Sequence, residues 1–270
     1  MNGRRLHRVI LYGDGIPDII DWKEITGYLG NKLGHISIEE RGNPFAPRPD
    51  RVADYARRLA SIKIVDARKK LDVLDEPLYG EVQYEKRRIT GLTRSFGILY
   101  DGARLQRVFA ELIAREEHRV EFIHIMLTSR LFATWEENDR RYHARTSIYA
   151  FPSVISTTGI VEAPAKPREY YLLKQQYDML GRDLLELQEK FRGRFIDYDD
   201  ERLTEVVKGY LMQAVFYHLT GNPFCQDPDC RLFNAHWQEE LIRAQIESGE
   251  LCERHEKALS AQLSAISNTN

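Results

Sequence analysis

A chain of 270 residues, 43% hydrophobic, 10% aromatic and 30% charged, has the apolar mass for a packed core, which excludes a disordered or fibrous protein. Its formal net charge of −2 gives no bulk attraction to a polyanion, so neither nucleic acid nor membrane is expected as a partner. The apolar run behind the basic segment Met1 to Arg8 is only Val9 to Tyr12, too short for a signal sequence or a membrane span, and a cytoplasmic protein is expected.

Val9 to Tyr12 predicts a short buried strand closed by the turn Gly13-Asp14-Gly15. A helix follows, with Asp18 as N-cap, Ile19, Ile20, Trp22, Ile25, Tyr28, Leu29 and Leu33 as apolar residues, and Gly34 as its stop. His35 to Glu39 alternates as a second strand. The proline-rich stretch Gly42 to Pro49 is a loop, and Asp50 to Leu71 has helical spacing. Phe96 to Tyr100 predicts a strand, and Asp101 to Glu117 a helix with Leu105, Val108, Phe109, Leu112 and Ile113 inward. Val120 to Leu127 carries the strongest central-strand pattern, in which His124 alternates to the side opposite Ile123 and Ile125. Glu136 to Arg145, which contains His143, is polar and predicts a solvated loop.

Two strand-like runs flank Phe151-Pro152 between Arg145 and Ser156, and Ile155 to Pro167 passes from a strand into a proline-bounded loop. Beyond it the pattern turns helical, over Tyr170 to Phe191, Glu201 to Leu219, Phe233 to Ile246 and Glu253 to Leu263. The expected class is α/β: a mixed sheet with packed helices over residues 1–165, a helical part over 166–263 and a frayed tail over 264–270, together one integrated domain.

The three cysteines arrive late and in company. Cys225 and Cys230 frame Gln226-Asp227-Pro228-Asp229, and Cys252 is followed three residues on by His255. Two short hooks, each offering two soft donors, are how a tetrahedral zinc site ties distant chain segments together. An odd, local set of thiols argues against a disulfide framework. One structural zinc per chain on Cys225, Cys230, Cys252 and His255 is therefore expected, with no open position for chemistry.

The segment from Ala214 to His255 resembles the archaemetzincins, zinc metallopeptidases of the metzincin group. Their active-site helix reads H-E-x-x-H-x-x-G-x-x-H and is followed by a cysteine-rich metal site. His218 falls on the second histidine of that motif, Gly221 on its glycine, and Cys225, Cys230 and Cys252 on three of the cysteines, with His255 standing for the fourth. The resemblance implies a metzincin-like mixed sheet, and a peptide cleft between the sheet edge at Ser147 to Thr158 and the motif helix. The departures are chemical. Ala214 replaces the first zinc histidine, Val215 the glutamate base, Phe224 the third histidine, and Leu232 the methionine beneath the metal. One imidazole does not hold zinc against water, and valine accepts no proton, so hydrolysis by that mechanism is not expected.

Three functional readings follow. The preferred one is a catalytically inactive archaemetzincin-like metallopeptidase homologue that still grips a peptide or protein segment. The alternatives are an active peptidase whose zinc sits on His218 with ligands such as Asp227, His143 or Glu162, and an interaction protein with a filled cleft. The run His236-Trp237-Gln238-Glu239-Glu240 puts a histidine and a carboxylate on one helical face, but no second histidine follows as an inverted zinc motif requires. No P-loop, dinucleotide fingerprint or nucleophile elbow is present.

Overall fold

The computed structural model describes residues 6–72, 76–91 and 97–267. The start of the basic segment, Phe96 at the head of a predicted strand, and residues 268–270 of the predicted tail lie outside the described residues.

The chain opens with β1 (Arg8–Asp14), α1 (Trp22–Leu33) and β2 (Ser37–Glu40). The first helix begins later than Asp18 suggests. Ile20 N–H closes a turn onto the Pro17 carbonyl, and Asp21 then caps the helix, its carboxylate accepting from the Glu24 amide at 2.9 Å. The helical spacing over Asp50 to Leu71 yields only α2 (Val52–Ser61), after which the chain extends into β3 (Lys63–Ile64). The β-branched residues Ile62, Ile64 and Val65 suit a pleated strand better than a helix. Next comes α3 (Tyr79–Ile89), which periodicity does not reveal because its buried side carries Glu85 and Arg88 alongside Ile89.

β4 (Leu99–Asp101) leads into α4 (Gly102–Ala110), capped by Asp101, and then β5 (Phe122–Thr128). The predicted solvated loop around His143 is instead a hairpin of β6 (Leu131–Glu136) and β7 (Arg141–Arg145), pairing His143 with Thr134 and Trp135 with Tyr142. The Trp135 and Tyr142 rings meet edge to face at 5.2 Å, a cross-strand pair that the polar neighbours conceal in sequence.

β8 (Ser147–Ile148) and β9 (Ser153–Ser156) follow, and the small-residue run after them is a helix, α5 (Thr157–Glu162). Ser156 Oγ accepts from the Gly159 amide at 2.7 Å, and Gly159 lies so close to the Arg145 carbonyl that no side chain fits. The long helix expected over Tyr170 to Phe191 is broken by Gly181, at φ 62°, into α6 (Arg168–Leu180) and α7 (Leu184–Lys190). The remainder is α8 (Leu203–Thr220), α9 (Gln238–Ile242) running on as a π-helical turn over Arg243–Ser248, and α10 (Glu253–Ser267).

Two sheets organise these elements: β2-β1-β5-β9-β8, and β3-β4-β6-β7. In the first, β2, β1, β5 and β9 are parallel and only the edge strand β8 runs antiparallel. Alternation splits its side chains between two cores. Val9, Leu11, Ile123, Ile125, Leu127 and Ile155 join α1, α8 and the cysteine loop. Ile10, Tyr12, Met126 and Val154 face α2, α4 and the second sheet. His124 takes this second side, as its register predicts, with Nδ1 at 3.1 Å from Tyr12 OH and Nε2 at 3.1 Å from the Glu117 carbonyl. Burial there holds its pKa below the usual histidine value.

Where the two sheets approach, the buried Arg130 guanidinium binds Asp14 at 2.7 Å and Glu85 at 2.6 Å, with Tyr100 OH also donating to Glu85 at 2.6 Å. Among the described residues no helix is long and apolar enough to cross a membrane.

Candidate metal centre

α8 carries the metal loop. Fourteen of its eighteen residues are buried, which is why its pattern reads as continuous rather than one-sided. Gly221 ends it in the left-handed conformation, φ 79°, with its amide on the Tyr217 carbonyl at 2.8 Å. The chain then turns through Asn222, whose side chain accepts from the Phe224 amide at 3.1 Å, into Cys225.

The first cysteine hook is closed by backbone bonds: Cys225 N–H to the Leu232 carbonyl, and Cys230 N–H to the Asp227 carbonyl. The second hook is a turn of helix, with the His255 amide on the Cys252 carbonyl at 2.9 Å. Arg231 N–H donates to the Glu250 carbonyl at 2.8 Å and so holds the hooks side by side. The four donor atoms of Cys225, Cys230, Cys252 and His255 all lie within 4.8 Å of one another. The Cys225 and Cys252 sulfurs are 4.0 Å apart, Cys230 Sγ is 3.7 Å from His255 Nδ1, and Cys252 Sγ is 3.1 Å from it. Tetrahedral zinc with sulfur bonds near 2.3 Å and nitrogen bonds near 2.0 Å sets donors about 3.5–3.8 Å apart, so this group fits the ion.

Backbone amides also point at the sulfurs, Asp227 at Cys225 and Cys252 at Cys230, each at 3.4 Å, as thiolates require. Burial pushes the Cys230 thiol up to about 12. Burial also acts to raise Cys252, but the His255 amide and the neighbouring thiols outweigh it and bring that thiol down. A bound cation would displace the proton that Cys230 otherwise keeps. The His255 ring is set edge-on against Phe216 of α8 at 5.3 Å, which anchors the second hook to the core.

The motif helix is different. Ala214 and Val215 are fully buried. Phe224 packs against Tyr149 at 6.0 Å, and Tyr149 also lies against Tyr217 at 6.2 Å, its hydroxyl donating to Gln213 at 2.5 Å. His218 donates from Nε2 to the Val120 carbonyl at 2.8 Å. It lines a pocket of about 390 Å³ with His118, His124, Phe122, Phe151 and Tyr217.

The other expected partners lie elsewhere. His143 pairs with Asp139 at 2.8 Å, and Glu162 accepts from Tyr198 OH at 2.7 Å. Glu240 caps α9 by accepting from the amides of His236 and Trp237, so His236 precedes that helix rather than sharing its face. Among the described residues, the Cys3His cluster is the one group of three or more such donors gathered closely enough for a metal. Sequence reasoning missed the aromatic contribution of Tyr149, because nothing local to β8 signals that it reaches α8.

A mixed α/β fold carrying a closed group of soft metal donors therefore defines the class. Over residues 5–262 the chain matches the family described as "Probable metallopeptidase family (DUF6775)", and it belongs to that family. Comparison with curated proteins finds no match. Among solved structures, a zinc-dependent peptidase from Methanocorpusculum labreanum (strain Z) is similar at 12% identity and a TM-score of 0.40, with 95% of this chain and 99% of that chain covered.

Proposed function

We propose that this chain is an archaemetzincin-like member of its family that no longer hydrolyses peptides. On this reading it holds one structural zinc on Cys225, Cys230, Cys252 and His255, and binds an extended peptide in the remaining cleft. It would work in the cytoplasm, where thiols stay reduced and available to zinc. The observation that carries the proposal is the contrast between neighbours. Three cysteine sulfurs and the His255 imidazole converge, while the aromatic rings of Tyr149, Tyr217 and Phe224 crowd the motif helix. Ala214, Val215 and Phe224 supply neither a metal ligand nor a base, and His218 is engaged by a backbone carbonyl. β8 is the edge strand of its sheet, and the chain just beyond it lines the pocket at Ala150 and Phe151 opposite His218, a setting that suits an added peptide strand.

Metal analysis of the purified chain tests this directly. One zinc per chain is expected, retained in His218→Ala and lost in Cys252→Ser, with no cleavage of denatured casein even in added zinc. Two zinc ions per chain together with chelator-sensitive cleavage would overturn it. The same aromatic packing favours a second reading, an interaction protein whose cleft has closed. Titration with an extended-peptide library separates the two, since a closed cleft binds none of it.

A further inference from the structure

We propose that the pocket at His218 and a cationic pocket beside it together select an acidic peptide, an aromatic or large aliphatic side chain entering the first and neighbouring carboxylates the second. This inference rests on the peptide-binding reading above and names the class of peptide.

The first pocket, of about 390 Å³, is lined by apolar side chains and by three histidines whose hydrogen bonds are made within the chain. His118 Nε2 donates to the Ile113 carbonyl at 3.3 Å, and His218 Nε2 to the Val120 carbonyl. His124 is held on both nitrogens, by Tyr12 OH and the Glu117 carbonyl. Arg119 pairs with Glu121 at 3.3 Å and lies over the Phe122 ring. The Phe151 ring is 4.8 Å from that of His118 and 5.5 Å from that of His124. With these polar groups engaged, the pocket suits an apolar guest, above all a flat ring that stacks on its aromatic walls. A nucleobase, whose edge needs several donors and acceptors met, would give up bonds to water there without replacing them.

The second pocket, of about 520 Å³, shares His118 with the first and is otherwise lined by Arg48, Arg51 and Arg115 together with Ala110, Ile113 and Glu111. Its charges do not cancel. Glu111 is held through both oxygens by Arg58, at 2.6 Å each, and Arg51 pairs with Asp54 at 2.9 Å. Glu117, next to His118 in the chain, is clamped in the same way by Arg41. Among the described residues Arg48 and Arg115 have no carboxylate partner, so two guanidinium charges remain for a guest. Each can take a carboxylate through two parallel N–H donors. One imidazole divides the two pockets, a width that about two residues of extended chain cross at ~3.3 Å per residue. A strand added along β8 runs toward Ala150 and Phe151 in the wall of the first pocket, which leads the same peptide to both.

Fluorescence anisotropy of the full chain with labelled, end-blocked hexapeptides tests the pairing of the pockets. Ala-Phe-Ala-Glu-Glu-Ala should bind about 10-fold more tightly than Ala-Phe-Ala-Gln-Gln-Ala, as two partly exposed ion pairs allow. Serine in place of its phenylalanine should weaken it about 10–100-fold, the loss expected for a ring that no longer leaves water. The ratio between the glutamate and glutamine peptides should fall toward one in the double variant Arg48→Gln, Arg115→Gln, whose fold melting curves check. It should also fall at about 0.5 M salt, a comparison that needs only the parent chain. Equal binding of the two peptides, indifference to the phenylalanine, a ratio unmoved by salt and by the double variant, or tighter binding of adenosine triphosphate than of the acidic peptide overturns the proposal. Binding without preference for glutamate overturns it while the peptide-binding reading stands. A failure of the whole extended-peptide library to bind removes that reading and this one together.

Discussion

The proposed zinc clamp has a consequence for stability that Cys230→Ser tests. Cys230 is fully buried and bonded through its sulfur to the Cys252 amide, so a serine there removes a ligand without opening a large cavity. The cost comes chiefly from the lost cross-link. A tie between Cys225 and Cys252, 27 residues apart, restricts the unfolded chain by about 3.5 kcal/mol on the loop-entropy scale. The remaining thiols add little, because a neutral buried thiol behaves as a small apolar group. For a chain of this size about 3.5 kcal/mol corresponds to a melting temperature lower by roughly 7–14 °C. Thermal melts followed by circular dichroism, with and without a strong chelator, provide the assay. The parent should fall by that amount on chelation and recover with added zinc, whereas Cys230→Ser should start low and ignore the chelator. A parent melt that moves by less than about 2 °C on chelation would show that no metal cross-link supports the fold.

Two other perturbations follow from the buried polar packing. Burial acts to raise the Glu85 pKa, but Arg130, the Tyr100 hydroxyl and Lys63 outweigh it and hold the carboxyl below its ordinary value. A depressed carboxyl stabilises the fold above its unfolded value of about 4.3, and that contribution is lost as pH falls through the folded value. Glu85→Gln should therefore lose about 3–5 kcal/mol at neutral pH and flatten the acid limb in urea titrations; an unchanged acid limb would remove Glu85 from the account. Gly209 in α8 faces the Gln245 amide, whose Nε2 donates to the Arg231 carbonyl at 2.8 Å, and a methyl at Gly209 would overlap Gln245. Gly209→Ala normally gains up to about 1 kcal/mol in a helix, but here should lose about 1–3 kcal/mol; a higher melting temperature would refute the contact.

The residues themselves determined the α/β class, the central strand β5, the glycine stop at Gly34, and the two cysteine hooks. Each is written in local chemistry: alternation, an achiral residue where φ is positive, or donors at ligand spacing. Where a segment takes its identity from distant neighbours, the local signal fails. α3 hides because its inward residues Glu85 and Arg88 serve an ionic network with Arg130 and Tyr100. The hairpin of β6 and β7 hides because its polar residues gain by pairing with one another rather than by burial. The archaemetzincin resemblance implies a helix without its metal ligands, yet only the fold brings Tyr149 from the sheet edge onto Tyr217 and Phe224. Likewise, only the fold turns Leu172 and Met179 outward, because burial of Tyr170, Leu173 and Tyr177 fixes how α6 is rotated. A helix with two apolar sides cannot declare from its sequence which one the core will take.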